Sequence, residues 1–153
     1  MPSPKYKILA VCLGNICRSP IAHGLINHHA SRLNLNIEVD SAGTIDYHSG
    51  NPPDRRSIEI MKENDIDISN QRSRVFCKND FEIYDLILAM DKQNLIDLRS
   101  LASNDNEMSK IKLVLENDDV PDPYYGGEEG FENVFKLLDQ AIPRWLELSH
   151  LQN

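Results

Sequence analysis

The chain has 153 residues, of which 41% are hydrophobic, enough for one buried core around a single sheet and too short for two ordinary domains. Its formal net charge of −8 argues against a broad nucleic-acid interface, which needs clustered Lys and Arg, but permits a small anion held by backbone N–H groups. No apolar run approaches the roughly 20 residues of a membrane span, Met1–Lys7 carries no apolar leader, and the odd cysteines Cys12, Cys17 and Cys77 predict reduced thiols in a cytoplasmic protein, not a disulfide scaffold.

Tyr6–Cys12 is a short apolar run that predicts a strand ending just before Gly14-Asn15. Helical spacing follows at Ile21, Ala22, Leu25, Ile26, Ala30 and Leu33, and Ser19-Pro20 marks the helix start, because serine can cap free N–H groups and proline is tolerated in the first turn. Asn36–Ser41 alternates as a second strand. Ala42-Gly43 then opens a loop through Tyr47, His48, Gly50 and Pro52-Pro53, before a helix over about Asp54–Asn64. Asp85–Met90 reads as a strand covered on both faces, with Asp91 placed to cap a helix containing Leu95, Leu98 and Leu101. Ile111–Leu115 predicts a fourth strand. From Glu128 onward, Phe131, Val134, Phe135, Leu138, Ile142, Trp145 and Leu148 form the apolar stripe of a long helix that Pro143 should kink or split.

Strands alternating with helices predict an α/β fold: a single domain over residues 1–153, with a four-stranded parallel sheet flanked by helices on both faces. Right-handed crossovers would put every strand's C-terminal end on one side, where ligands bind in such sheets. Cys12, Ser41, Met90-Asp91 and the segment after Leu115 should therefore converge, bringing Asp122 to Cys12.

Cys12-Leu13-Gly14-Asn15-Ile16-Cys17-Arg18-Ser19 sets a thiol at a strand end, an arginine six positions on and a helix start immediately after. Gly14 and Asn15 tolerate positive φ, which lets successive N–H groups turn inward as an anion cup. The Arg18 fork matches two phosphoryl oxygens and would stabilise a five-coordinate phosphorus. Facing those donors, Cys12 is expected to act as a thiolate nucleophile, with the Ser19 hydroxyl steadying the sulfur. Zinc binding by Cys12 and Cys17 is disfavoured, because no second ligand pair has suitable spacing.

Thiolate attack on a phosphate ester expels an oxyanion that needs a proton. Val120-Pro121-Asp122-Pro123-Tyr124-Tyr125-Gly126-Gly127 offers one: flanking prolines stiffen Asp122, the glycines allow a turn, and the tyrosines can wall a flat ring. Asp91, also just past a strand, is the alternative acid, although its place before a leucine-rich helix suits an N-cap.

Val11–Pro20 reads VCLGNICRSP, which resembles the signature of the low-molecular-weight protein tyrosine phosphatases, and Asp122-Pro123-Tyr124 is similar to their acid motif. Ser41-Ala42-Gly43 and Met90-Asp91 fall in the family's order, so the resemblance spans nearly the whole chain. It implies a flavodoxin-like, Rossmann-like fold and metal-independent hydrolysis of protein phosphotyrosine and small aryl phosphates through phospho-Cys12, with Arg18 binding phosphate and Asp122 serving as acid and then base. It also implies that backbone from Leu13 to Cys17 holds the phosphoryl group or inorganic phosphate, that Asn15 braces the loop, and that Ser41 supports it. Tyr47, Tyr124 and Tyr125 would form the substrate rim, and Cys17 a reversible disulfide with Cys12. Where the family has a histidine behind Asn15, this sequence has Asn70. No cofactor, metal or nucleic-acid partner is implied, and a monomer or weak homodimer is expected.

Three other readings have specific counter-indications. Arsenate reductases of similar fold need two further redox cysteines, and only Cys77 is present in the middle region. Protein-arginine phosphatases resemble this loop with threonine where Ile16 stands. A non-catalytic phosphate sensor would not need nucleophile, arginine and acid together.

Overall fold

The computed structural model describes residues 5–152, with side chains through residue 149. The leaderless reading of Met1–Lys7 and the domain's outer limits extend in part beyond those residues. β1 (Tyr6–Cys12), β2 (Ile37–Gly43), β3 (Leu86–Ala89) and β4 (Ile111–Leu113) form one sheet in the order β2-β1-β3-β4. All three pairings are parallel, with Cys12 opposite Gly43 and Val11 opposite Ala89. The four-stranded parallel sheet read from the alternation of elements is therefore the observed one, in the flavodoxin-like order that the resemblance implied.

Six helices accompany the strands among the described residues: α1 (Arg18–Arg32), α2 (Arg55–Glu63), α3 (Asp80–Ile83), α4 (Lys92–Leu101), α5 (Asp105–Ser109) and α6 (Glu128–Gln152). Strand side chains alternate between two cores. Ile8, Ala10, Leu86 and Leu88 pack with Ile21, Leu25, Ile26, Val134, Leu138 and Ile142 from α1 and α6. Leu9, Val11, Ile87 and Ala89 pack on the other face with Phe76, Phe81 and Leu98. Every side chain of β3 is buried, as a central parallel strand requires.

Several local expectations change. α6 runs unbroken through Pro143, because Phe131, Val134, Leu138, Ile142 and Leu146 are all buried along one face and hold the helix despite the lost backbone donor. α3 and α5 are too short to leave a periodic pattern. Ser19 does not cap α1: the N-cap position is Cys17, without a side-chain cap bond, and the Ser19 hydroxyl points elsewhere. Asp91 caps α4 as expected, accepting from Asn94 N, while Asp54, read as the first residue of its helix, is the cap of α2 and accepts from Arg56 N.

Candidate active site

The segment after β1 folds as a cup because its carbonyls are drawn outward. Cys12 O and Leu13 O accept from Thr44 N and Ile45 N, Gly14 O from Ser73 Oγ, Ile16 O from Asp54 N, and Cys17 O from Ser57 Oγ. Among the described residues the N–H groups from Gly14 to Cys17 have no protein acceptor, which leaves them for an anion. Asn15 takes the left-handed conformation at φ 59°. Its side chain secures it, donating to Ser19 Oγ at 2.7 Å and accepting from Arg74 N at 3.1 Å. Gly14, expected to share the positive φ, does not. Glycine serves there for clearance, since a Cβ would lie 2.9 Å from His48 Cδ2.

Cys12 lies at the floor of the cup, 2% exposed, with Sγ 3.1 Å from Ser19 Oγ. Arg18 extends along the same floor, and its Nη1 donates to Asp91 Oδ2 at 2.6 Å and to Val120 O at 3.0 Å. Burial works against the Arg18 charge, but Cys12, Asp91 and Asp122 outweigh it and hold the proton more firmly than in an ordinary arginine. Asp91 thus does two jobs, one carboxylate oxygen for the helix and the other for the guanidinium. Cys17 is a buried free thiol whose proton is held far above the usual cysteine range by burial, and further by Asp54 and Cys12.

Asp122 reaches this cavity from the connection between β4 and α6. Its Oδ1 accepts from Tyr124 N at 3.0 Å, and its Oδ2 lies 3.9 Å from Arg18 Nη2. One cavity of about 280 Å³ contains Cys12, Leu13, Gly14, Ile16, Cys17, Arg18, Tyr47, His48, Asp122, Tyr124 and Tyr125 in its lining. Tyr47 and Tyr124 do not face each other directly. The His48 ring stands between them, 4.8 Å from Tyr47 and 6.4 Å from Tyr124 between centroids. A larger groove of about 830 Å³ follows β4 and α6, but it contains none of these groups.

Two supports sit differently from the sequence reading. Asn70 is exposed and is not a partner of Asn15, whose bonds go to Ser19 and Arg74. The Ser41 hydroxyl meets His23 Nδ1 at 3.2 Å, a histidine supplied by α1 and not by the segment around Asn70. His23 and His48 carried no pattern beyond their helix and loop.

The family model of the low molecular weight phosphotyrosine protein phosphatases matches residues 7–153. The chain belongs to that family and is a protein-tyrosine phosphatase. It is 40% identical over 152 residues to the human low molecular weight phosphotyrosine protein phosphatase, covering 94% of this chain and 95% of that one. It superposes on YfkJ from Bacillus subtilis with a TM-score of 0.92 at 34% identity, covering 100% and 99% of the two chains. With Vibrio vulnificus Wzb, solved in complex with benzylphosphonate, the TM-score is 0.85 at 33% identity, over 94% of this chain and 99% of that one.

Proposed function

We propose that this chain hydrolyses phosphotyrosine in proteins, and small aryl phosphates, through a phosphocysteine intermediate on Cys12. The observation that carries the reading is the meeting of the Cys12 thiol, the Arg18 guanidinium and the Asp122 carboxyl in one cavity lined by free backbone N–H groups. Asp91 and Val120 occupy Nη1 of Arg18, so the Nε–Nη2 edge is left to bind two phosphoryl oxygens. Cys12 Sγ attacks phosphorus while the cup and Arg18 stabilise the equatorial oxygens, and Asp122 gives its proton to the departing phenolate oxygen. Asp122 then takes a proton from water as that water displaces the sulfur, and Ser19 Oγ donates to the thiolate that leaves.

Leu13, Ile16 and Tyr47, with His48, Tyr124 and Tyr125, line the same cavity as Cys12 and suit the flat ring of a phosphotyrosyl group. The same cup accepts inorganic phosphate and related oxyanions. Cys17, buried beside the nucleophile, is the thiol placed to trap an oxidised Cys12 as a disulfide. No described helix is long and apolar enough to cross a membrane, and the proposed setting is the cytoplasm, with phosphotyrosine proteins as partners.

The test is steady-state and pre-steady-state turnover of an aryl phosphate with a chelator present. A burst of phenol, its loss in Cys12→Ser, and preference for phosphotyrosyl over phosphoseryl and phosphoarginyl peptides are expected. Undiminished activity in Cys12→Ser would remove the mechanism, and phosphate binding without turnover would make the cup a sensor.

A further inference from the structure

Asp122 is 44% exposed at its side chain, and among the described residues its only hydrogen bond is the one from Tyr124 N within its own loop. Its position over the cup therefore depends on how the two ends of that loop are fastened. The near end is fastened at Val120, whose N–H donates to Met90 O at 2.8 Å and whose carbonyl accepts from Arg18. Among the described residues the far end has no such bond to the sheet. It is held by Arg56, in the first turn of α2.

Arg56 Nη2 donates to Tyr124 O and Nη1 to Gly126 O, each at 3.0 Å. The remaining edge of the guanidinium is clamped by Asp54, with Nε on Oδ1 and Nη2 on Oδ2, both at 3.0 Å. Its Cζ lies 4.5 Å from the centroid of the Phe131 ring, which is buried at the start of α6. Asp54 N, two residues away, donates to Ile16 O of the cup at 2.8 Å. A three-residue segment, Asp54–Arg56, thus binds the cup by one end and the acid loop by the other. The Tyr124 peptide completes the chain of contacts, its carbonyl on Arg56 and its N–H on the Asp122 carboxylate.

We infer that Arg56, oriented by Asp54, is a positioning residue for proton transfer: it sets the distance from the Asp122 carboxyl to the leaving-group oxygen without touching substrate. The inference rests on the phosphatase reading above and adds to it the element that spaces acid from nucleophile. A lysine has no fork to hold the Asp54 carboxylate and two separate carbonyls together, so the geometry asks for arginine.

The experiment compares kcat/KM for phenyl phosphate, whose leaving group needs a proton, with that for 2,4-dinitrophenyl phosphate, whose leaving group departs as a stable anion. Wild type, Arg56→Gln, Asp122→Asn and the double variant are measured, with phosphate inhibition constants. Arg56→Gln should lose about 10- to 100-fold on phenyl phosphate, part of the factor a placed general acid supplies. It should stay within about threefold on the dinitrophenyl ester and in phosphate inhibition, and in the Asp122→Asn background it should change phenyl phosphate turnover by less than about twofold, as expected for residues acting through one group. Equal losses on both esters, or losses that multiply in the double variant, would overturn the positioning role. If circular dichroism shows Arg56→Gln unfolded, Arg56→Lys is judged by the same substrate ratio. Wild-type turnover that falls in Asp122→Asn upholds the phosphatase reading whatever Arg56 does, whereas no wild-type turnover overturns both.

Discussion

Asp91→Asn is the sharpest test of how the cup holds its arginine. Arg18 is 3% exposed and Asp91 20% exposed at their side chains, and the pair closes at 2.6 Å. Asp91 uses one oxygen for Arg18 and the other for Asn94 N, the helix cap, at 2.7 Å. Asparagine has a single acceptor oxygen, so it must abandon one of the two and turn an NH2 donor toward another donor. Removing one partner of a buried ion pair costs roughly 3–5 kcal/mol. Arg18 keeps its bond to Val120 O and the proximity of Cys12 and Asp122, which places the expected loss near the lower end, at about 3 kcal/mol. Asp91→Ala should add about 1 kcal/mol for the lost cap. With a urea slope of about 2 kcal/mol/M, Asp91→Asn should lower the unfolding midpoint by about 1.5 M, read from the emission of the single tryptophan, Trp145. kcat/KM on an aryl phosphate should fall at least about tenfold as the fork loses its aim. A midpoint within about 0.3 M of wild type would refute the view that this pair anchors the cup.

Asn15→Ala removes two side-chain hydrogen bonds and leaves a Cβ residue at positive φ, so a loss of about 2–4 kcal/mol in urea unfolding is expected, with Asn15→Gly recovering only the conformational part. His23 is held below its ordinary value of 6.5 by burial, against the opposing pull of Asp40. The unfolded chain therefore takes up a proton before the folded chain does, so this contribution is complete above about pH 6.5 and is lost as pH falls through the folded value. Wild type should lose stability faster than His23→Gln between about pH 7 and pH 5, and parallel urea midpoints would contradict it. Brief peroxide treatment should give a protein lighter by two hydrogens, restored by dithiothreitol, whereas Cys17→Ser should gain oxygens irreversibly on Cys12. Irreversible oxidation of wild type at the same rate as the variant would deny Cys17 that role.

A strand ending in cysteine, with Gly-Asn inside the following loop and Ser-Pro after it, identifies β1, the cup and α1 from local physics alone. This order of residue types suits a tight turn with inward amides, an arginine fork and a helix start. The alternation of apolar runs likewise determined the parallel sheet, because buried strands and amphipathic helices bear different periods. Asp122 could be chosen from its prolines and tyrosines, and Asp91 from its place before a helix. What those residues bond was another matter. The second partner of Asp91, the approach of His23 to Ser41, the insertion of His48 between two tyrosines and the Arg56 contacts to the acid loop all join residues far apart in the chain or on separate turns. No local period records such meetings. Pro143 departs from its local expectation for the same reason, since its local effect is to break a helix and the buried face of α6 overrides it. Local residue order specifies which chemical groups this protein has and which end of the sheet they share. Tertiary structure alone decided what fastens them, because those bonds depend on distances between elements, and distances between elements are set by packing.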